Sequence, residues 1–144
     1  MIVLDSSVAL KWIFADEDGA EHAVRVRDDH ISGKNEIAVP TLFFYEIANV
    51  LATKVKLSAE EALEAFELIS AFEFNAHELD SIEYMEAMTL AMKHRISVYD
   101  ASYHVLASRL GCRFLTADRK FWEKVKGMGV AELLVGAQKG ISFK

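Results

Sequence analysis

Short apolar runs recur along this chain, and each is followed by a longer segment with helical periodicity. Ile2-Val3-Leu4 is the first run and residues 36–39 are the second. A stretch within residues 72–79 is the third, Arg113-Phe114-Leu115-Thr116 the fourth, and residues 130–135 the fifth. Runs that are continuously apolar, rather than alternating, mark strands buried on both faces, as in parallel sheets. Parallel strands need long crossovers, and helices supply them. The pattern predicts an α/β three-layer sandwich, with a mostly parallel sheet of about five strands flanked by helices.

The helical segments carry their own signals. A short helix is expected over 6–14 and a charged surface helix over 15–31. Pro40 stands where a first helical position would be. The helix it opens runs to about residue 56, with Phe43, Ile47, Val50, Leu51 and Val55 as its apolar face. Ser58-Ala59-Glu60-Glu61 is a capping box, with Leu63, Phe66 and Ile69 facing inward behind it. Asp80 and Glu83 form another N-terminal signature, and Ile82, Met85, Met88 and Met92 follow as a stripe expected in the core. Ser97 caps a helix bearing Tyr103, Leu106, Ala107 and Leu110, with Asp100 in its positive first turn. A last short helix is expected after Asp118, reaching about Lys126.

The 144 residues suffice for a single domain with a real core, spanning 1–144, its tail loose from about residue 136. A net charge of −6 argues against a general nucleic-acid coat, since phosphate binding is driven by Lys and Arg. Cys112 is the single cysteine and reads as a small core residue in a reducing compartment. The N-terminus lacks the basic and apolar regions of a leader. No stretch approaches the roughly 18 to 20 apolar residues of a membrane span. A cytoplasmic protein is the expectation.

Ligands of open parallel sheets bind beyond the carboxyl ends of the strands. Asp5 and Asp118 each follow a strand directly. Glu46 lies in the second turn of the helix leaving the second strand. Asp100 begins a helix that runs antiparallel to the fourth strand, so its start lies at the same edge. Taken singly, Asp5, Asp100 and Asp118 are acceptable helix-start residues. Glu46, between Phe44, Tyr45 and Ile47, is costly without a partner, and Asn49 one turn on is placed to hydrogen-bond it. Four carboxylates on one rim repel each other and call for a cation. Oxygen ligands favour a hard ion, Mg²⁺ or Mn²⁺, and a water on such an ion is the nucleophile of phosphodiester hydrolysis.

Four motifs stand in order along the chain: Ile2-Val3-Leu4-Asp5-Ser6-Ser7, Glu46-Ile47-Ala48-Asn49-Val50-Leu51, Val98-Tyr99-Asp100-Ala101-Ser102-Tyr103 and Leu115-Thr116-Ala117-Asp118. In these the chain resembles the PIN-domain family, and most closely the VapC-type ribonuclease toxins. The resemblance implies a five-stranded parallel sheet and a Mg²⁺- or Mn²⁺-dependent endoribonuclease acting on single-stranded or structured RNA. It also implies a homodimer and a cognate antitoxin protein. By position it makes Asp5, Glu46, Asp100 and Asp118 the catalytic, metal-holding acids. Ser6, Asn49 and Thr116 become their hydrogen-bonding supports, and Glu123 a candidate further acid.

Other readings are weaker. No dinucleotide fingerprint, Walker A loop or nucleophile elbow is present. Ser7 excludes the Asp-x-Asp phosphatase pattern. A receiver domain needs an aspartate at the third strand, and residues 72–79 supply none. His104, one turn beyond Asp100, is a candidate neighbour of the site. Lys11, Arg119 and Lys120 are equally readable as phosphate contacts or as solvated charge. The alternative to an enzyme is an inactive PIN scaffold that binds protein or RNA.

Overall fold

The computed structural model of the chain describes residues 1–14 and 18–136. The sheet has five strands: β1 (Ile2–Leu4), β2 (Ile37–Pro40), β3 (Asn75–His77), β4 (Arg113–Thr116) and β5 (Ala131–Leu133). Their order is β3-β2-β1-β4-β5, and every pairing is parallel. The first strand is thus the middle of the sheet. Val3 lies opposite both Ala38 and Phe114, and Leu4 opposite Leu115. All five of these residues are buried, as apolar runs covered on both faces must be.

Seven helices flank the sheet among the described residues. They are α1 (Ser6–Ala9), α2 (Ala20–Ile31), α3 (Leu42–Thr53), α4 (Ala59–Ser70), α5 (Ser81–His94), α6 (Val98–Leu110) and α7 (Arg119–Val125). From β1 to β3 the chain moves one way across the sheet; from β3 to β4 and β5 it moves back. Right-handed crossovers therefore put α1–α4 on one face and α5–α7 on the other. Each face has its own aromatic cluster. Trp12, Phe72, Phe74 and Phe43 meet on the first, and Tyr103, Phe114 and Phe121 on the second. His30 ties the first face together, accepting from the Ile37 N–H at 3.0 Å and meeting the Phe72 carbonyl at 2.7 Å. With Nδ1 accepting, Nε2 carries the proton and donates.

The expected elements form, with corrections. The 6–14 helix is only α1, continued by one 3-10 turn, Leu10–Trp12. The surface helix begins at Ala20, and residues 15–17 of its expected span lie outside the described ones, as does the expected loose tail beyond Gly136. Pro40 does not open a helix. It is the last residue of β2, where a missing N–H costs little, and α3 starts at Leu42 and stops at Thr53. Both capping boxes form, Ser58 with Glu61 and Asp80 with Glu83.

Two expectations of burial are overturned. Of the three residues expected inward on α4, Ile69 is buried and Phe66 packs partly buried on the core, but Leu63 is exposed. The Ile82, Met85, Met88 and Met92 stripe is not core, and all four side chains are more than half exposed. Helix α5 packs on α6 through Ala87 and Ala91, against Ala101 and Val105. Small residues let the two helices approach closely, so the contact face is the alanine face. Glu83, at the start of that face, is buried, and Arg109 Nη1 of α6 donates to both of its carboxylate oxygens at 2.7 and 2.8 Å.

Candidate active site

The carboxyl edge of β1 and β4 carries the acids. The Asp5 N–H donates to the Leu115 carbonyl at 3.0 Å, extending the ladder by one residue and setting Asp5 beside Thr116. Asp5 precedes α1, but its side chain makes no capping bond, and it is fully buried. Three hydroxyls donate to it instead: Ser7 at 2.7 Å, Thr116 at 2.8 Å and, more weakly, Ser6 at 3.5 Å. A carboxylate taken out of water needs such donors.

The same hydroxyls reach the other acids. Thr116 Oγ1 accepts the Asp118 N–H at 3.0 Å while donating to Asp5, which fixes the Asp118 backbone to the Asp5 carboxylate. Ser7 Oγ accepts from the Ala117 N–H at 3.0 Å, a second tie between the two loops. The single Ser6 proton is shared between Asp5 and Glu46, the latter at 3.4 Å. The Tyr103 hydroxyl donates to Glu46 at 2.6 Å. Burial first, then the charges of Glu46 and Asp5, push the Tyr103 hydroxyl well above its ordinary value, so it stays protonated as a donor. Asp118 caps α7, its Oδ1 accepting from the Phe121 N–H at 3.1 Å. Asp100 is half-buried in the first turn of α6, and its N–H is capped by Ser97 at 3.0 Å.

Ser6 and Thr116 thus contact the acids as expected. Asn49 is exposed, and its side-chain oxygen accepts from Thr53 at 3.5 Å, away from the edge. The residues that sequence reasoning missed are Ser7 and Tyr103. Ser7 stood in the first motif, and a hydroxyl two residues beyond a buried Asp was the available signal. Tyr103 looked like one more apolar position of its helix, and nothing in the sequence marked its hydroxyl.

Glu123 is taken up by Arg119 at 3.6 Å and Lys126 at 2.6 Å. His104 is buried on the α5 side, where burial and then the neighbouring His94 hold its pKa down. Lys11 is buried, which removes it from the readings that need a solvent-facing cation. Among the described residues no three His, Cys, Asp or Glu side chains form a ready cation cage. The donor set still suits a hard cation: it is carboxylate and hydroxyl oxygen alone. Mg²⁺ keeps several waters and is held by one or two carboxylates rather than by an all-protein cage.

The central β1 thus ends in a buried aspartate tied through Ser6 to Glu46 of α3 and through Thr116 to the end of β4. The sequence model of the PIN domain family matches residues 2–127, and the chain belongs to that family. Among its relatives, Ribonuclease VapC3 of Pyrobaculum aerophilum is 34% identical over 128 residues, covering 85% of this chain and 93% of the relative. Two solved structures share the fold. A crystal structure of a Pyrobaculum aerophilum protein has a TM-score of 0.64 at 22% identity, covering 92% of this chain and 88% of that one. A toxin–antitoxin complex from Klebsiella pneumoniae has a TM-score of 0.66 at 11% identity, covering 92% and 96%.

Proposed function

We propose that this chain is a metal-dependent endoribonuclease, the toxin of a toxin–antitoxin pair, acting in the cytoplasm on single-stranded or structured RNA. The observation that carries this is Asp5. It is buried, caps nothing, and is held by hydroxyls that also hold Glu46 and the Asp118 loop. A carboxylate fixed at that cost is built for a ligand rather than for its own helix. Kinship with a VapC ribonuclease supports the reaction class.

Asp5, Asp100 and Asp118 would hold one or two Mg²⁺ or Mn²⁺ ions, with Glu46 direct or through water. Such an ion supplies an activated water and screens the charge of the attacked phosphodiester. Thr116 and Ser7 orient the Asp5 carboxylate. Tyr103 fixes the Glu46 carboxylate toward the rim. We also propose a cognate antitoxin and a homodimer, the latter resting on the exposed α5 stripe, an apolar face that a second copy would cover.

The test is cleavage of a single-stranded oligoribonucleotide with Mg²⁺ or Mn²⁺, with EDTA, and with Asp5→Asn. Cleavage should need the metal and fall by at least about a hundredfold in the variant. Growth arrest on overexpression should likewise vanish with Asp100→Asn. Undiminished cleavage in EDTA overturns the metal dependence, and undiminished cleavage by Asp5→Asn overturns the site assignment; no cleavage by wild type with either metal leaves the binding scaffold as the better reading.

A further inference from the structure

Charge is divided sharply along this chain. Residues 57–92 hold nine Asp and Glu and no Lys or Arg; residues 93–126 hold eight Lys and Arg and three acids. Two of those three acids are Asp100 and Asp118, and the third, Glu123, is paired within α7. The acidic segment includes α4, which packs beside α3 and therefore flanks the Glu46 side of the site. The basic segment covers the opposite side, from the end of α5 to the end of α7.

Contacts join the basic residues to the site. Lys124 Nζ donates to the Arg95 carbonyl at 2.9 Å, so α7 lies against the turn that opens α6 and presents Asp100. Lys120 is one turn before Lys124 on the same face of α7, two residues after Asp118. Arg95, Lys120 and Lys124 are all exposed, and none is paired with a carboxylate among the described residues. The rim also carries an aromatic ring. Tyr99 is four residues before Tyr103, on the same helix face and one turn nearer the carboxyl edge. Tyr103 is fully buried with its hydroxyl on Glu46, whereas Tyr99 is 63% exposed. Side chains of a helix lean toward its N-terminus, so Tyr99 projects over the rim beside the acids.

We propose that a single-stranded RNA enters the site across this α6–α7 rim, with Tyr99 stacking one base next to the attacked phosphodiester and Arg95, Lys120 and Lys124 taking successive phosphates. Unpaired cations beside a stacking ring are the combination that single strands select. Repulsion from the acidic α4 keeps the strand off the other side. The proposal rests on the ribonuclease reading and adds the direction of the strand and the residues that hold it.

Fluorescence anisotropy of a labelled single-stranded oligoribonucleotide in EDTA, over a salt series, tests it, with cleavage kinetics in Mg²⁺ alongside. The triple variant Arg95→Ala, Lys120→Ala, Lys124→Ala should lower the salt slope by about 2, at roughly 0.7 per phosphate contact, and raise KM with little change in kcat. Tyr99→Ala should weaken binding at least about fivefold, and Tyr99→Phe should restore it. If wild type binds and cuts RNA and these variants bind with its affinity and slope, the strand runs elsewhere and the proposal fails. It also fails if they keep RNA affinity but lose binding to polyglutamate, which would make the rim a protein-docking surface. Wild type that neither binds nor cuts RNA overturns the underlying ribonuclease reading instead.

Discussion

At the scale of single residues, burial decides what an ionisable group does. His104 is buried in α6 with its Nε2 unpartnered, near His94, and both burial and that neighbour disfavour its charged form. Its folded pKa lies below the unfolded one, so the unfolded chain binds the extra proton. Its contribution to stability is present above the ordinary histidine value, about 6.5, and is lost as pH falls through the folded value. Thermal melts at pH 8 and 5.5 should show wild type losing more melting temperature than His104→Gln, which cannot titrate. Equal losses would place the acid sensitivity in other groups. The same logic explains which site residues the sequence disclosed. Asp5, Glu46, Asp100 and Asp118 could be proposed because strand ends and helix starts are legible, and hydroxyls link Asp5 to Glu46 and to the Asp118 N–H. The donors were harder: a hydroxyl counts only by where it points, and Tyr103 points across to a helix 57 positions away in sequence.

At the scale of elements, α5 is the instructive helix. Its methionines have the spacing of a core face, yet the face that packs is Ala87 and Ala91. Periodicity identifies an apolar stripe but not its partner, and two alanines four apart were the signal for close packing. Pro40 misled for a related reason, since a strand end and a first helical turn tolerate its missing N–H equally. Glu83 links the elements twice: it accepts the Asp80 N–H at 3.0 Å and pairs with Arg109. Glu83→Gln keeps an acceptor for the cap and loses the ion pair. With Arg109 more than a third exposed, it should cost about 1 kcal/mol in urea unfolding, and Glu83→Ala more, about 2 kcal/mol, since it loses both. A Gln variant as damaging as Ala would show that the charge, not the cap, holds α5.

At the scale of the whole molecule, the alternation of strands and helices was enough to foresee the sheet and its parallel sense. Strand order across the sheet was not legible, because it depends on pairings between distant segments. The exposed α5 stripe belongs to this scale too. If a second copy covers it, sedimentation should give a dimer for wild type and a monomer for the double variant Met85→Glu, Met88→Glu, with folding retained because neither side chain is in the core. A wild-type monomer, or a dimer that survives both charges, would remove that face as the interface. The central place of β1 has one more consequence, and it concerns time. Asp5 is made almost first, but its strand neighbours in β4 and the Thr116 hydroxyl that holds it come more than a hundred residues later. During synthesis the chain carries its most buried carboxylate in water, without its donors and without the far half of the sheet. Nothing resembling the finished site exists on the ribosome until the chain has passed Asp118, so the growing chain cannot attack RNA before that point in its synthesis.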